Sequence, residues 1–359
     1  MGKIEIDHTG SGGGITLSSD GTSLLLGGTA IGGSALELYA ENPSSPTAPS
    51  ATGTNAVAIG NNASSSNTLS VAIGHNSIAS NDYAFAIGAF TDATGERSLA
   101  LGYLAQAVTG QYATAISRSY ASGTDSFAAA IANNTSSYGA TGANSIAMGF
   151  LAKATGTNSI CLGRDSTSSG SRAVNFGSFS TASGSYSAVL SGVSNSATQR
   201  DAVVLNGTGS TSDVVGKVAW GNHGLAGCHG GMYRLFSDTT NATPEALTTN
   251  NSTAGTTNQI ILPNNSAYAF HGTIVARQQA AGGTASAAWK IEGLIRREGS
   301  AGTTVLVNSA TTVLDNTPSW GMALSADTTN GGLAITATGA ASTNIRWVAT
   351  IHTSEVTYA

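Results

Sequence analysis

His223, Cys228 and His229 place three soft, metal-ligating side chains within one short stretch, Gly221-Asn-His-Gly-Leu-Ala-Gly-Cys-His-Gly-Gly231. Their spacing matches no standard zinc pattern. On a threefold axis, one histidine per chain could still coordinate a metal. Cys228 beside His229 could also pair a nucleophile with a base, although sequence neighbours rarely face each other productively. The plain alternative is a glycine-rich structural loop. No cofactor is expected.

Recognition chemistry has a different candidate. Trp320 follows Asp315-Asn-Thr-Pro318 in an expected loop, and an exposed aromatic face with polar neighbours suits a sugar. Core packing is its alternative reading. Trp289 and Trp347 alternate with apolar strand neighbours and are expected in a core. The acids beyond residue 235 are Asp238, Glu245, Glu292, Glu298, Asp315, Asp327 and Glu355. No two of them are marked out as the fixed-separation pair that glycan cleavage needs, so no enzyme is expected.

The elements that position these residues begin with a repeat. Asn55-Ala-Val-Ala-Ile-Gly60 recurs as Ser70-Val-Ala-Ile-Gly74, Ala84-Phe-Ala-Ile-Gly88 and Ser98-Leu-Ala-Leu-Gly102. The glycines at 60, 74, 88 and 102 are 14 residues apart. A short fixed period means a stack of similar coils. The register continues through Ser117, Ala132, Gly149, Gly163, Gly177, Ser191 and Asn206, giving eleven coils. Within each phrase Val57 and Ile59 face one way and Ala58 the other, which is strand periodicity. A second short run, such as Leu104-Ala-Gln-Ala107, follows in each coil. Two strands per coil make a narrow parallel β-roll, a rod of roughly 50 Å at the usual strand spacing. So few large apolar residues per coil bury little alone. The alanine face is therefore expected to receive another chain, in a homotrimer. Cys161 fills the alanine slot of Ile160-Cys-Leu-Gly163 and is expected to be buried. The wider spacing between 117 and 149 predicts a bulge or longer loop there.

The phrase resembles the head repeat of the trimeric autotransporter adhesins, best at 55–110 and 144–184, as in Asn144-Ser-Ile-Ala-Met-Gly149. That resemblance implies a left-handed trimeric β-roll and, as its usual work, adhesion. Met1-Gly-Lys-Ile-Glu-Ile-Asp-His8 has no apolar stretch of a secretion signal, and the C-terminal end carries no heptads or membrane segment. The same roll occurs in fibres of tailed bacteriophages, and the whole layout resembles such a fibre.

Composition fits a fibrous β protein. Charged residues make up 9% of the chain, glycines number 46 and the net charge is −5. Nucleic-acid binding is not expected without a basic face, nor is membrane insertion. The sequence divides into an N-terminal attachment segment and linker (1–50), roll repeats (51–207), a neck (208–235) and a C-terminal tip (236–359). The glycine run at 10–14 lacks the Gly-Lys-Ser/Thr ending of a phosphate loop. About eight alternating strands in the tip predict an antiparallel β-sandwich or jelly roll. The expected fold is thus all-β, a trimeric parallel β-roll rod with that tip. The expected protein is a virion fibre, joined to other virion proteins through 1–50 and meeting a host-surface glycan or protein through the tip. A capsid decoration fibre and a bacterial surface adhesin are the alternatives.

Overall fold

Alternation of branched and small residues builds the roll one coil at a time. The structure is a computed structural model. It describes residues 47–129, 137–221, 227–280, 283 and 285–358, with backbone alone at 4–6, 15–19, 24–26 and 29–31. Phe85, Ala86 and Ile87 pair in parallel with Leu99, Ala100 and Leu101. The second strand of the coil does the same, Asp92 and Ala93 pairing with Gln106 and Ala107. One sheet runs from Val57–Ile59 to Val218–Gly221 and the other, of twelve strands, from Ser50–Ala51 to Thr211–Ser212. The ladders extend one rung beyond the eleven phrases, into the residues 208–221 that read as the start of a neck.

The faces are assigned the other way round from the sequence expectation. Ala72, Ala86, Ala100, Ala115, Ala128 and Ala147 are fully buried within their own chain. The space between the two sheets is filled by methyls and hydroxyls in most coils, and by nothing larger than Asn175, Val189 and Val204 in the later ones. Ser70, Ser98 and Ser145 also point inward, and each hydroxyl donates to a carbonyl of the preceding turn at 2.6–2.7 Å. Cys161 is buried in this column, as expected, and burial pushes its thiol pKa up. The branched residues face outward. Phe85, Leu101, Met148, Leu162, Phe176, Leu190 and Leu205 stay 40–45% exposed along one side of the rod. The outward positions of the other sheet are mostly polar, among them Asp92, Gln106, Lys153, Thr167 and Thr181. Of the two sheets, one therefore carries a continuous apolar stripe and the other a mostly polar face.

Two turns per coil close the roll. Gly60, Gly74, Gly88 and Gly102 have φ of +109° to +139°. A Cβ on Gly88 would run into the carbonyl of Gly102 in the next coil, so only glycine lets the coils stack there. Each turn also holds a left-handed residue, often bulky, such as Leu69, Tyr83, Phe90 and Arg97, with φ of 55–56°. Their side chains stack between coils. The Arg97 guanidinium lies 5.2 Å and 5.5 Å from the rings of Tyr83 and Tyr112. The irregular coil departs from the register read in the sequence: Phe127 pairs with Thr114, thirteen residues back, and with Ile146, nineteen on, and Ala129 pairs with Ile116 and Met148, so the strand lies two residues earlier than a corner at Ala132 requires. The added residues lie between these strands, and 130–136, Ala132 among them, fall outside the described residues.

The last rung hands the chain to the C-terminal sheet. Strand β1 (Val218–Gly221) belongs to the roll and pairs antiparallel with β2 (Cys228–Thr239). Then come β3 (Pro244–Ala246), β4 (Ile260–Ile261), β5 (Ser266–Gln278), β6 (Ser286–Arg297), β7 (Val305–Asp315), β8 (Gly321–Asp327), β9 (Gly332–Thr338) and β10 (Ile345–Thr357). One sheet has the order β1-β2-β10-β5-β6-β7. A second places β8 on one edge of β9 and β3 and β4 on the other. Tyr233, Leu235, Ile274, Trp289 and Trp347 meet Leu247, Ile260, Leu333 and Ile335 between them in one buried cluster. This is the expected antiparallel sandwich, and Trp289 and Trp347 stack in its core at 5.5 Å. Before the roll, residues 4–31 carry a meander of four short antiparallel strands. The Gly10–Gly14 run lies outside the described residues.

The narrow interior sets a test. Ala86→Leu adds three carbons to a filled column and should destabilise the chain by about 1–3 kcal/mol. Chemical denaturation checks this.

Candidate functional site

Strand direction locates the end of the molecule farthest from the roll. β2 leaves the roll beside β1 and runs to Thr239, and β10 returns antiparallel from Ile345. β5 ends at Gln278 opposite Ile345. The connections after Thr239, Gln278, Asp315 and Thr338 therefore all lie at this far end. Gln279 N donates to Asn344 O at 2.8 Å, tying two of them together.

One face of the large sheet packs on the second sheet, and the other is open. Register fixes the open face in rows. Asp238 lies opposite Arg346, which lies opposite Arg277; Phe236 opposite Val348 and Val275; Arg234 opposite Thr350 and Thr273. Arg346 makes a two-pronged contact with Asp238, Nε to Oδ1 at 2.8 Å and Nη2 to Oδ2 at 2.7 Å. Gln279 Nε2 donates to the same Oδ1 at 2.8 Å. The Arg346 bonds, opposed by slight desolvation, hold the Asp238 carboxyl below its ordinary range. Residues after β3 fold back along β2, where Phe236 N donates to Thr248 O at 2.8 Å. This segment brings Asn251 to the edge of a hollow of about 480 Å³, which Arg234, Phe236, Asp238, Arg346 and Val348 complete. Ligand sites commonly occupy about 300–1,000 Å³.

Trp320 is not on this surface. It is 5% exposed and packs 5.9 Å from Trp347. The physical reason is the loop before it. Asn316 Oδ1 accepts from Trp320 N at 2.9 Å and Asn316 Nδ2 donates to Trp320 O at 2.8 Å, and the indole joins the core. Its ring face is not free for a sugar. Phe236 is the aromatic that sequence reasoning missed. It alternates in β2 with buried Leu235 and Ser237, a signal open to a strand-periodicity argument.

The metal candidates do not converge. His223 lies outside the described residues. Cys228 and His229 are consecutive on β2 and point to opposite faces, and no metal-binding group of side chains forms among the described residues. His229 instead lines a cavity of about 380 Å³ at the joint of roll and sandwich, with Asp213, Lys217, Tyr268 and Glu355. Its Nδ1 is buried without a hydrogen-bond partner. Burial lowers its pKa, with Glu355 opposing and Lys217 assisting.

The joint itself is an ion pair. Lys217 Nζ lies 3.0 Å from Glu355 Oε2, and both side chains are 3% exposed. Tyr233 and Thr353 donate to Glu355 Oε1 at 3.1 Å and 2.7 Å. Burial pushes the Tyr233 and Tyr268 hydroxyls well above their ordinary pKa, with Glu355 adding to it. The other acids of the sandwich are engaged too. Glu292 and Glu298 meet Lys290 and Arg296. Asp327 is penalised by burial, but amide donors at Asn330 and Thr329 outweigh that and lower its pKa.

Residues 51–68, 65–91, 93–116 and 140–166 match the YadA head domain repeat family. These coils of the roll are thus of the adhesin-head repeat type that the sequence resembles. No curated protein matches the chain. Among solved structures, the tailspike protein of Acinetobacter phage vB_ApiP_P1 aligns over 81% of this chain at 10% identity and a TM-score of 0.23. The aligned chain spans 63% of that protein's length.

Removing one partner of a buried pair leaves an unmatched charge. Lys217→Ala should cost about 3–5 kcal/mol, whereas Lys217→Met with Glu355→Leu should recover most of the loss. Thermal unfolding of the two variants decides this.

Proposed function

We propose that the chain is a trimeric virion fibre of a tailed bacteriophage, with the roll as spacer and the sandwich as the part that meets the host surface, through a glycan. The observation that carries this reading is the continuous sheet from roll to sandwich, which sets four connections and an open hollow at the end farthest from the rod. The roll gives length, and surface connections on a rigid scaffold give recognition. The meander at 4–31 supports attachment to other virion proteins. The engaged carboxylates of the sandwich support binding rather than glycan cleavage. The match to YadA head repeats favours a second reading, a bacterial surface adhesin.

The outward apolar stripe supports a trimer, because burying one such side chain contributes about 1.5–3 kcal/mol. Three rolls that share the stripe around one axis remove it from water without closing the polar sheets. Phe85→Glu together with Leu101→Glu should convert trimers to monomers of one-third the mass in sedimentation equilibrium. Persistence of the trimer would move the interface elsewhere.

Immunogold electron microscopy separates the readings of location. Label on tails is expected. Label on shells alone indicates a decoration fibre, and label on bacterial cells an adhesin. The purified full chain should also compete with phage adsorption in proportion to its concentration.

A further inference from the structure

The open face of the large sheet runs against the charge of the chain. The whole sequence carries 14 Lys and Arg against 19 Asp and Glu. On the outward positions of β2, β10, β5, β6 and β7, however, Arg234, Arg346, Arg277, Lys290 and Arg296 accompany only Asp238, Glu292 and, on the far edge strand opposite Ala288, Asp315. Five cations against three carboxylates make this face positive by two charges. Lys290 is paired with Glu292, and Arg296 with Glu298 of the adjoining loop. The unmatched charge therefore sits toward the far end. Among the described residues Arg234 has no carboxylate partner, and Arg346 is already clamped to Asp238.

We propose that the hollow of about 480 Å³ bounded by Arg234, Phe236, Asp238 and Arg346 binds a carboxylated sugar, of the uronic or sialic type, in a host-surface polysaccharide. This rests on the receptor-binding reading above and names its ligand class. The half-buried Phe236 ring, with Val348 beside it in register, supplies an apolar floor for the face of a sugar ring. Arg234, two residues before it on the same face, offers a planar guanidinium to a carboxylate. Asp238 fixes Arg346 by its two-pronged contact and, with Asn251, leaves acceptors and donors for ring hydroxyls. Within the hollow, two arginines and one aspartate leave one net positive charge, the match for a single carboxylate rather than a doubly charged phosphate monoester. A second copy of the chain is a poorer occupant, because like faces would bring the same cations together.

The test uses the full-length trimer on an immobilised set of bacterial envelope polysaccharides, acidic, neutral and phosphorylated. Each acidic member is also presented after chemical reduction of its carboxyl groups. Retention on carboxylated members is expected, with loss on carboxyl reduction and weakening at high salt. Arg234→Gln should weaken binding about tenfold or more, and Phe236→Ala comparably, with oligomeric state and melting temperature unchanged. Lys153→Gln removes an equal charge from the roll and should leave binding intact. Retention on neutral or phosphorylated members alone, or on carboxylated ones regardless of Arg234→Gln and Phe236→Ala, overturns the site while leaving glycan recognition standing. A change of oligomeric state in Arg234→Gln overturns it in favour of an interface between copies. Retention of no polysaccharide at all removes the receptor-binding reading itself.

Discussion

The width of one coil governs this molecule. Parallel strands stack at the backbone spacing of about 4.8 Å, and the space enclosed by two short strands is filled by alanine, serine and, at single positions, Cys161, Asn175, Val189 and Val204. Asn175, which occupies an alanine slot, is accommodated because its amide donates to Thr167 O and Ser180 O and its oxygen accepts from Gly177 N. Side chains larger than valine have no place inside, so Ile, Leu and Phe turn outward, as do Val57, Val71, Val174 and Val203. Backbone ladders and small buried groups alone leave a single rod marginal. The outward stripe and the need for partner chains follow from the same narrowness.

The joint to the sandwich is made by breaking that rule once. The inward position just before each main strand is Ser70, Ala84, Ser98, Ala113, Ser126, Ser145, Ser159, Ala173, Ser187 and Ala202 in turn. In the last coil it is Lys217. No further coil stacks above it, so its ammonium leaves the column and meets Glu355 on the final strand of the sandwich. A buried pair of this kind contributes little net stability, because both charges lose their water. What it does fix is register. A shift of β10 by one residue would expose Glu355 on the open face and leave Lys217 buried without an anion. The same constraint thus carries the orientation of the rod into the sheet that ends at the far loops.

Much of this was legible in the residues, and the failures have physical causes. The 14-residue period was read directly, because glycine at the corner and alanine in the column are demanded by contacts with the next coil. The inside and outside of the roll were not. Alternation says that Val57 and Ile59 share a face opposite Ala58, but only the coil width says which face is enclosed. The second left-handed turn was hidden because Leu69, Tyr83 and Arg97 occupy it, residues with no turn signature. There the strain of a positive φ is offset by stacking of one coil's side chain on the next. Trp320 was misplaced for a similar reason. A Pro and Asn loop suggested exposure, whereas Asn316 uses both ends of its side chain to turn the following backbone inward. Phe236 escaped notice because β2 crosses the border between the neck and the tip as read from sequence.

Charge scarcity gives the far end its meaning. A surface of Ser, Thr, Asn and Gly is electrostatically quiet, so the few cations the chain has define its field. The polar sheet of the roll carries little beyond Lys153 and Asp92, and most of its exposed arginines lie over aromatic rings of neighbouring coils, as Arg97 does over Tyr83 and Arg164 over Phe179. Those cations brace the corners and stay close to their partners. On the open sheet face the pattern differs, since Arg234 projects without a ring or carboxylate beside it among the described residues and Arg346 is held in one orientation by Asp238 and Gln279. A fixed guanidinium loses less freedom on meeting an anion than a mobile one. Rigid placement on a sheet tied to the rod by Lys217 and Glu355 makes that face the part of the chain best prepared to select one partner by charge and shape.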